Sequence, residues 1–219
     1  MKITIFAATG GIGAHALRQA VAAGHDVTAV VRDPGRLALD VRSVAADLTD
    51  PDPAALESAV SGADAVLSGL GPRKLSDFGV TSQGTAAIVR AVQAAGARRL
   101  VVVSAAPVST VPSPGRPNPP RHDPGDGPVT RYLLAPLLKR VMRTHYADLA
   151  VTEDLLRDSG LDWTVVRPPR LTNRPRTGVY RTAEDRGAGL SVSRADVADL
   201  MLAVLDRPGT VGHALGVAN

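Results

Sequence analysis

One α/β domain with a doubly wound parallel sheet is the fold this sequence predicts, on three observations. Short apolar runs rich in Val, Ile and Thr alternate with helical patterns along the 219 residues. A glycine-rich turn, ATGGIG, follows the first run directly and opens the first helical pattern. Hydrophobic residues make up 44% and charged residues 21% of a chain long enough to bury a full core, the balance of a globular protein.

Five β-like runs are predicted: residues 3–8 (ITIFAA), 26–31 (DVTAVV), 65–70 (AVLSGL), 99–105 (RLVVVSA) and 162–167 (DWTVVR). Their continuous apolar character suits strands covered on both faces, as in a parallel sheet. Helical patterns span 13–23, 53–60, 82–95 and a long stretch from 132 to 158. A last helix is announced by Ser193 with Asp196 three positions on, a near capping box, and the strand-like ALGVA follows it. The segment 107–128 holds eight of the 17 prolines, which excludes an interior helix or strand there. It reads as a long surface loop leaving the end of the fourth strand, where open α/β sheets bind ligands, and so as a lid-like element. The whole chain, 1–219, is predicted as a single Rossmann-like domain.

Composition excludes several function classes. Zero cysteines leave no disulfide, thiolate nucleophile or Cys-ligated metal site, and no metal site is expected. The net charge is +4, but aromatic residues are only 3%, too few for base stacking, so no nucleic-acid partner is expected. No apolar run approaches the roughly 20 residues of a membrane span. The sequence opens on strand-like MKITIFAA without a secretory h-region, and the expectation is a cytoplasmic protein with no membrane partner. The apolar positions of the 132–158 pattern suit either a monomer core or a homodimer.

The glycine turn carries the chemistry. Thr9, Gly10, Gly11, Ile12 and Gly13 lie between strand and helix, where free N–H groups and the helix dipole favour a pyrophosphate. Ala7 stands where such turns usually begin with glycine, and alanine is the next smallest choice. The second strand ends VVRDPGR. An acidic residue there would hydrogen-bond an adenosine ribose, whereas arginine accommodates a 2′-phosphate. Arg32 and Arg36 therefore favour NADP(H), while Asp33 leaves NAD(H) open. Asp47, Leu48, Leu70, Gly71, Arg73, Ser104, Pro168 and Arg170 fall at the ends of later strands, around the crevice a dinucleotide would cross.

The turn, VVRDPGRL, the Asp47-Leu48 pair, SGLGPRK, SGLDWTVVRPPRL and the stretch 177–205 occur in an order that resembles the atypical short-chain dehydrogenase/reductase group. That group includes NmrA-like proteins and the NADPH-dependent flavin reductases also known as biliverdin-IXβ reductases. Most of the chain is covered, except the proline-rich loop and the first part of the helix after it. The resemblance implies that Thr9, Gly10 and Ile12 line the pyrophosphate, and Arg32 and Arg36 the 2′-phosphate. It implies Asp47 and Leu48 at the adenine, Leu70, Gly71 and Arg73 beneath the middle of the cofactor, and Ser104, Pro168, Arg170 and Leu171 at the nicotinamide end. Two departures stand out. The Tyr and Lys four apart that serve typical members are absent, since Tyr146 is followed by Ala150 at that spacing. The hydroxyl pair and the His of the flavin reductases are replaced by Ser104-Ala105 and Arg170.

The expected function is an NAD(P)H-dependent reductase passing hydride to a flavin, quinone or similar planar acceptor. Ser104, Arg170 and Tyr146 are the candidate catalytic residues, with His145 a second candidate proton donor beside Tyr146. Ser104 reads equally as a hydrogen-bonding group for substrate or carboxamide and as a capping hydroxyl. The alternative is an NmrA-like redox sensor that holds NADP without turnover, and an isomerase or dehydratase on the same nucleotide fold is a third reading.

Overall fold

The computed structural model describes residues 1–72, 77 and 79–219. An eight-stranded sheet runs β3-β2-β1-β4-β5-β6-β10-β8. Its strands are β1 (Lys2–Phe6), β2 (Asp26–Val31), β3 (Arg42–Ala45), β4 (Ala65–Ser68), β5 (Arg99–Val103), β6 (Asp162–Arg167), β8 (Arg181–Glu184) and β10 (His213–Ala218). All pair in parallel except β8, which lies antiparallel against β10. Two short strands, β7 (Arg170–Thr172) and β9 (Ser191–Ser193), form a separate parallel ribbon. Among the described residues six α-helices complete the fold: α1 (Gly13–Ala22), α2 (Pro53–Val60), α3 (Val80–Ala94), α4 (Ala135–Val141), α5 (Arg143–Asp158) and α6 (Arg194–Ala203).

The period-two alternation of each strand sends its side chains to two cores. Ile3, Ile5, Val101 and Val103 meet Ala16, Leu17 and Ala20 of α1 and Leu200 and Met201 of α6. Phe6, Leu100 and Val102 turn the other way, toward Leu56 of α2, Ile88 and Val92 of α3, and Leu156 of α5. The strand order reverses at β1, with β2 on one side and β4 on the other. A crevice therefore opens above the β1 and β4 ends.

The five predicted strands are present, but three stop short: β1 at Phe6, β4 at Ser68 and β5 at Val103. Their predicted tails are instead the turns that leave the sheet toward the crevice. β3 and β8, which the apolar pattern did not reveal, are short, mostly exposed edge strands, RSVA and RTAE, each opening on an arginine, the form edges take to avoid further pairing.

The predicted helix from 132 to 158 is a second difference. A wide π-type turn occupies Thr130–Leu134, α4 follows, and Met142 leaves the helical region with φ −105° and ψ 22° before α5 begins. Pro136 supplies a reason, since it lacks an N–H and its ring crowds the carbonyl four residues back. Tyr132, Leu133, Leu137, Leu138 and Val141 on this segment are exposed.

The proline-rich segment is anchored to the body at two points. Ser113 Oγ and the Gly115 N–H both donate to Asp154 of α5, at 3.0 and 2.9 Å. Asp123 is buried and accepts the N–H groups of Gly125 and Gly187, each at 2.8 Å. These local acceptors give a strand-free segment the partners its polar groups need.

Candidate functional site

The end of β1 shows what the glycine turn requires. Ala7 adopts φ 56°, a left-handed conformation that alanine rarely takes. Its carbonyl accepts the Gly10 N–H at 2.8 Å, and the Gly10 carbonyl accepts from Ala14 at 2.9 Å, carrying the turn into α1. A Cβ on Gly13 would stand 2.2 Å from the Ala7 carbonyl oxygen, so only glycine allows helix and strand to approach this closely. At Gly69 a Cβ would lie 2.9 Å from the Gly13 nitrogen, which makes Gly69 a partner of the turn that the sequence reading did not single out. The N-cap residue of α1, Ile12, provides no side-chain cap, and the first turn carries no acid. The positive end of the helix is left for an anion from outside the chain.

A cavity of about 750 Å³ lies above this turn, within the roughly 300–1,000 Å³ of small-molecule and cofactor sites. Ala7, Thr9, Gly10, Gly11 and Ile12 form its floor, and Gly13 lies behind them in the helix. Arg32, Asp47 and Leu48 stand at one end, and Leu70 and Gly71 at the middle. Val103, Ser104 and Leu171 close the other end. Asp47 Oδ1 accepts from the backbone and hydroxyl of Thr49, at 3.0 and 2.8 Å, which orients the loop after β3. Asp33 is turned to its own 3₁₀ turn, accepting the Gly35 N–H at 3.0 Å, and does not border the cavity.

Besides Gly13, four predicted residues stand apart from the cavity wall. Arg36 is exposed at the end of the 3₁₀ turn 34–36. Pro168 is buried, its carbonyl accepting the Ala106 N–H at 3.0 Å. Arg170 is exposed at the start of β7, where its N–H donates to Leu190. Tyr146 is buried in a small cluster with Val108, Leu149 and Ala150, and burial pushes its phenol up. Arg73 lies outside the described residues. No residue of 107–128 is among the described residues that line the cavity.

Other residues enter the site without having been expected there. Arg194, the first residue of α6, borders the cavity over the glycine turn. A Cβ on Gly11 would fall 2.9 Å from its Nε, and its NH1 donates to Asn173 Oδ1 at 2.6 Å. Burial, and then the Arg18 and Arg194 guanidiniums, hold His15 in the first turn of α1 below its ordinary pKa, a mark of the positive field there. His145, the second candidate proton donor, does line the cavity, with Met142 an unexpected neighbour; burial lowers His145 while Asp148 works the other way. Adjacent helical residues point about 100° apart, so His145 faces the cavity and Tyr146 the body.

Behind Ser104 lies a buried charge pair. Arg167 donates through Nε to Glu153 Oε1 at 2.9 Å and through NH2 to Oε2. Burial works against the Arg167 charge, and the Glu153 contacts outweigh it, so its pKa is raised. The Ser104 hydroxyl donates to Glu153 Oε1 at 2.8 Å.

The NAD(P)H-binding family matches residues 7–208, from the turn through α6. The chain belongs to the NAD(P)H-binding family. The uncharacterized sugar epimerase YhfK of Bacillus subtilis (strain 168) is 28% identical over 197 residues, 87% of this chain and 80% of that protein. A short-chain dehydrogenase/reductase of Veillonella parvula, solved in complex with NADP, superposes with a TM-score of 0.74 at 22% identity, covering 100% of this chain and 94% of that one. SP1627 of Streptococcus pneumoniae, a putative NADH-flavin reductase, does so with a TM-score of 0.74 at 23% identity, covering 100% and 99%. These superpositions show that the fold is Rossmann-like. The glycine cradle, the uncapped helix and the cavity are the features an NAD(P)H-binding chain requires, and the residues present fit a dinucleotide.

Proposed function

We propose that this chain is an NADPH-preferring reductase that passes hydride to a flavin, quinone or similar planar acceptor. The single observation that carries the cofactor preference is the pair of fates at the end of β2: Arg32 borders the cavity, while Asp33 is spent on the Gly35 N–H. A 2′-phosphate at this end meets a guanidinium, while the Asp33 carboxylate accepts from its own turn and stands off the cavity wall. Arg194 borders the cavity beside Gly11, where with the N-terminus of α1 it would hold a pyrophosphate.

NADPH supplies the hydride when bound. The chain's part is to hold the ring end against Val103, Ser104 and Leu171, and to leave an acceptor pocket bounded by Met142, His145 and Leu149. That wall is mainly apolar, which suits a planar conjugated acceptor. The transfer moves two electrons and one hydrogen, and the accompanying proton comes from solvent or from His145 at the wall. Two structural neighbours support the reading, a putative NADH-flavin reductase and a short-chain dehydrogenase/reductase solved with NADP, whereas YhfK carries the name of a sugar epimerase.

A second reading, a redox sensor of the NmrA-like kind, is favoured by one observation. Among the described residues no Tyr or Lys borders the cavity, and Tyr146 is packed away from it. Both readings are separated by mixing the purified chain with NADPH and a panel of flavins and quinones, and following the loss of reduced nicotinamide absorbance. Acceptor-dependent oxidation supports the reductase; tight NADPH binding without it, across the panel, overturns that reading in favour of the sensor.

A further inference from the structure

The one hydrogen on the Ser104 hydroxyl is already committed. Oγ donates it to Glu153 Oε1 at 2.8 Å, and both residues are buried. Glu153 has no hydrogen to return, because both of its oxygens accept from the Arg167 guanidinium, and a carboxylate in such a pair only accepts. A serine hydroxyl carries one hydrogen and two lone pairs. Toward the cavity it borders, Ser104 therefore offers lone pairs alone.

We propose that Ser104 is a hydrogen-bond acceptor for the primary amide of the nicotinamide, with Glu153 and Arg167 as positioning residues that fix the direction of its hydroxyl. This rests on the dinucleotide reading and deepens it. A quinone carbonyl has no hydrogen to give Ser104 and gains nothing there, whereas a carboxamide NH₂ does. Of the ligands the cavity would hold, the cofactor lies against the strand ends, and Ser104 directly follows β5. The anchored amide fixes the rotation of the ring about its ribose bond, and so which face turns to the acceptor. Ser104 is thus no proton donor, and its hydroxyl does not polarise the acceptor.

The test compares NADP⁺ with its 3-acetylpyridine analogue, which keeps the adenosine and phosphates and replaces the amide NH₂ by a methyl group. Calorimetric titration needs no acceptor and no turnover. Wild type is expected to bind NADP⁺ about 3–10-fold tighter than the analogue, the range of one hydrogen bond. Ser104→Ala loses that preference, Ser104→Thr keeps it, and Glu153→Gln narrows it, because a glutamine amide can donate to Oγ and release its hydrogen. The preference for NADP⁺ over NAD⁺, read in the same titrations, stays constant in all three variants. Wild type binding both ligands equally, or Ser104→Ala retaining the preference, overturns the proposal while leaving the dinucleotide site intact. Failure of NADP⁺ itself to bind removes both.

Discussion

At the scale of single residues, Ala7 holds the turn at φ 56° although its side chain disfavours that conformation. A left-handed alanine costs about 1–2 kcal/mol, and glycine loses about 0.5–1 kcal/mol more backbone entropy on folding. Ala7→Gly is therefore expected to stabilise the chain by up to about 1 kcal/mol in urea unfolding, with cofactor affinity unchanged; destabilisation would show that the conformation is not strained. Gly84 makes the opposite case. A Cβ there would stand 2.5 Å from Leu70 Cδ2 and 3.3 Å from Leu48 Cβ, pushing two side chains that border the cavity. Gly84→Ala gains up to about 1 kcal/mol of helix propensity, so stability is expected to change little while NADPH affinity falls several-fold. Equal affinity for both chains would place the adenine elsewhere. The glycine turn and Arg32 were legible in the sequence because each lies within a local strand-turn-helix pattern. Arg194 and Gly69 were not, since they meet the turn from distant parts of the chain, and no local pattern encodes that meeting.

At the scale of elements, α5 decides which of two neighbouring residues has access to the cavity. His145 lines it and Tyr146 packs against Val108. Tyr146→Phe is expected to leave turnover within about twofold, whereas removing a working general acid or base costs about 10²–10⁴-fold; a loss of that size would restore Tyr146 as the proton donor. The sequence offered both as candidates because the helix phase could not be read through the break at Met142. Pro136 signals the wide turn at Thr130–Leu134, but no residue near Met142 announces the second break. The proline-rich segment shows a similar limit. No α-helix or strand of the sheet lies within it, though a 3₁₀ helix, Ala106–Thr110, opens it, and its anchoring depends on Asp154 and Asp123, whose roles appear only once α5 and Gly187 are folded against it.

At the scale of the whole molecule, Asp196 ties the C-terminal third together. Oδ1 accepts the Thr177 and Gly178 N–H groups at 2.8 and 2.9 Å, and Oδ2 accepts Ser193 Oγ and Asn219 Nδ2 at 2.8 and 2.6 Å. Ser193 Oγ in turn caps α6 by accepting the Asp196 N–H, so the expected capping pair is present but serves a wider knot than a helix start. Burial pushes the Asp196 carboxyl up, and the Gly178 and Thr177 amides with Ser193 more than reverse this, leaving its pKa lowered. A carboxyl lowered on folding stabilises the chain at pH values above its unfolded pKa, and that contribution is lost as pH falls through the folded value. Asp196→Asn is accordingly expected to lose about 2–4 kcal/mol in urea unfolding near pH 7, with the difference from wild type shrinking in strong acid. A difference constant across pH would remove the charge from the explanation.

The β-α alternation was legible at this scale because the buried parallel strands are apolar on both faces. The edges β3 and β8 were hidden by the polar sequences that edges need. The end of the crevice over the glycine turn followed from strand order and motif together, whereas the wall proposed for the acceptor is bordered by Met142 and His145, a placement only the fold reveals. The central claim is that this crevice holds NADPH through Arg32. Titration of wild type and Arg32→Ala with NADPH and NADH tests it most directly. The account predicts tighter NADPH binding by wild type and near-equal binding of the two cofactors by the variant. Equal binding of both cofactors by wild type, unchanged by the substitution, would contradict it.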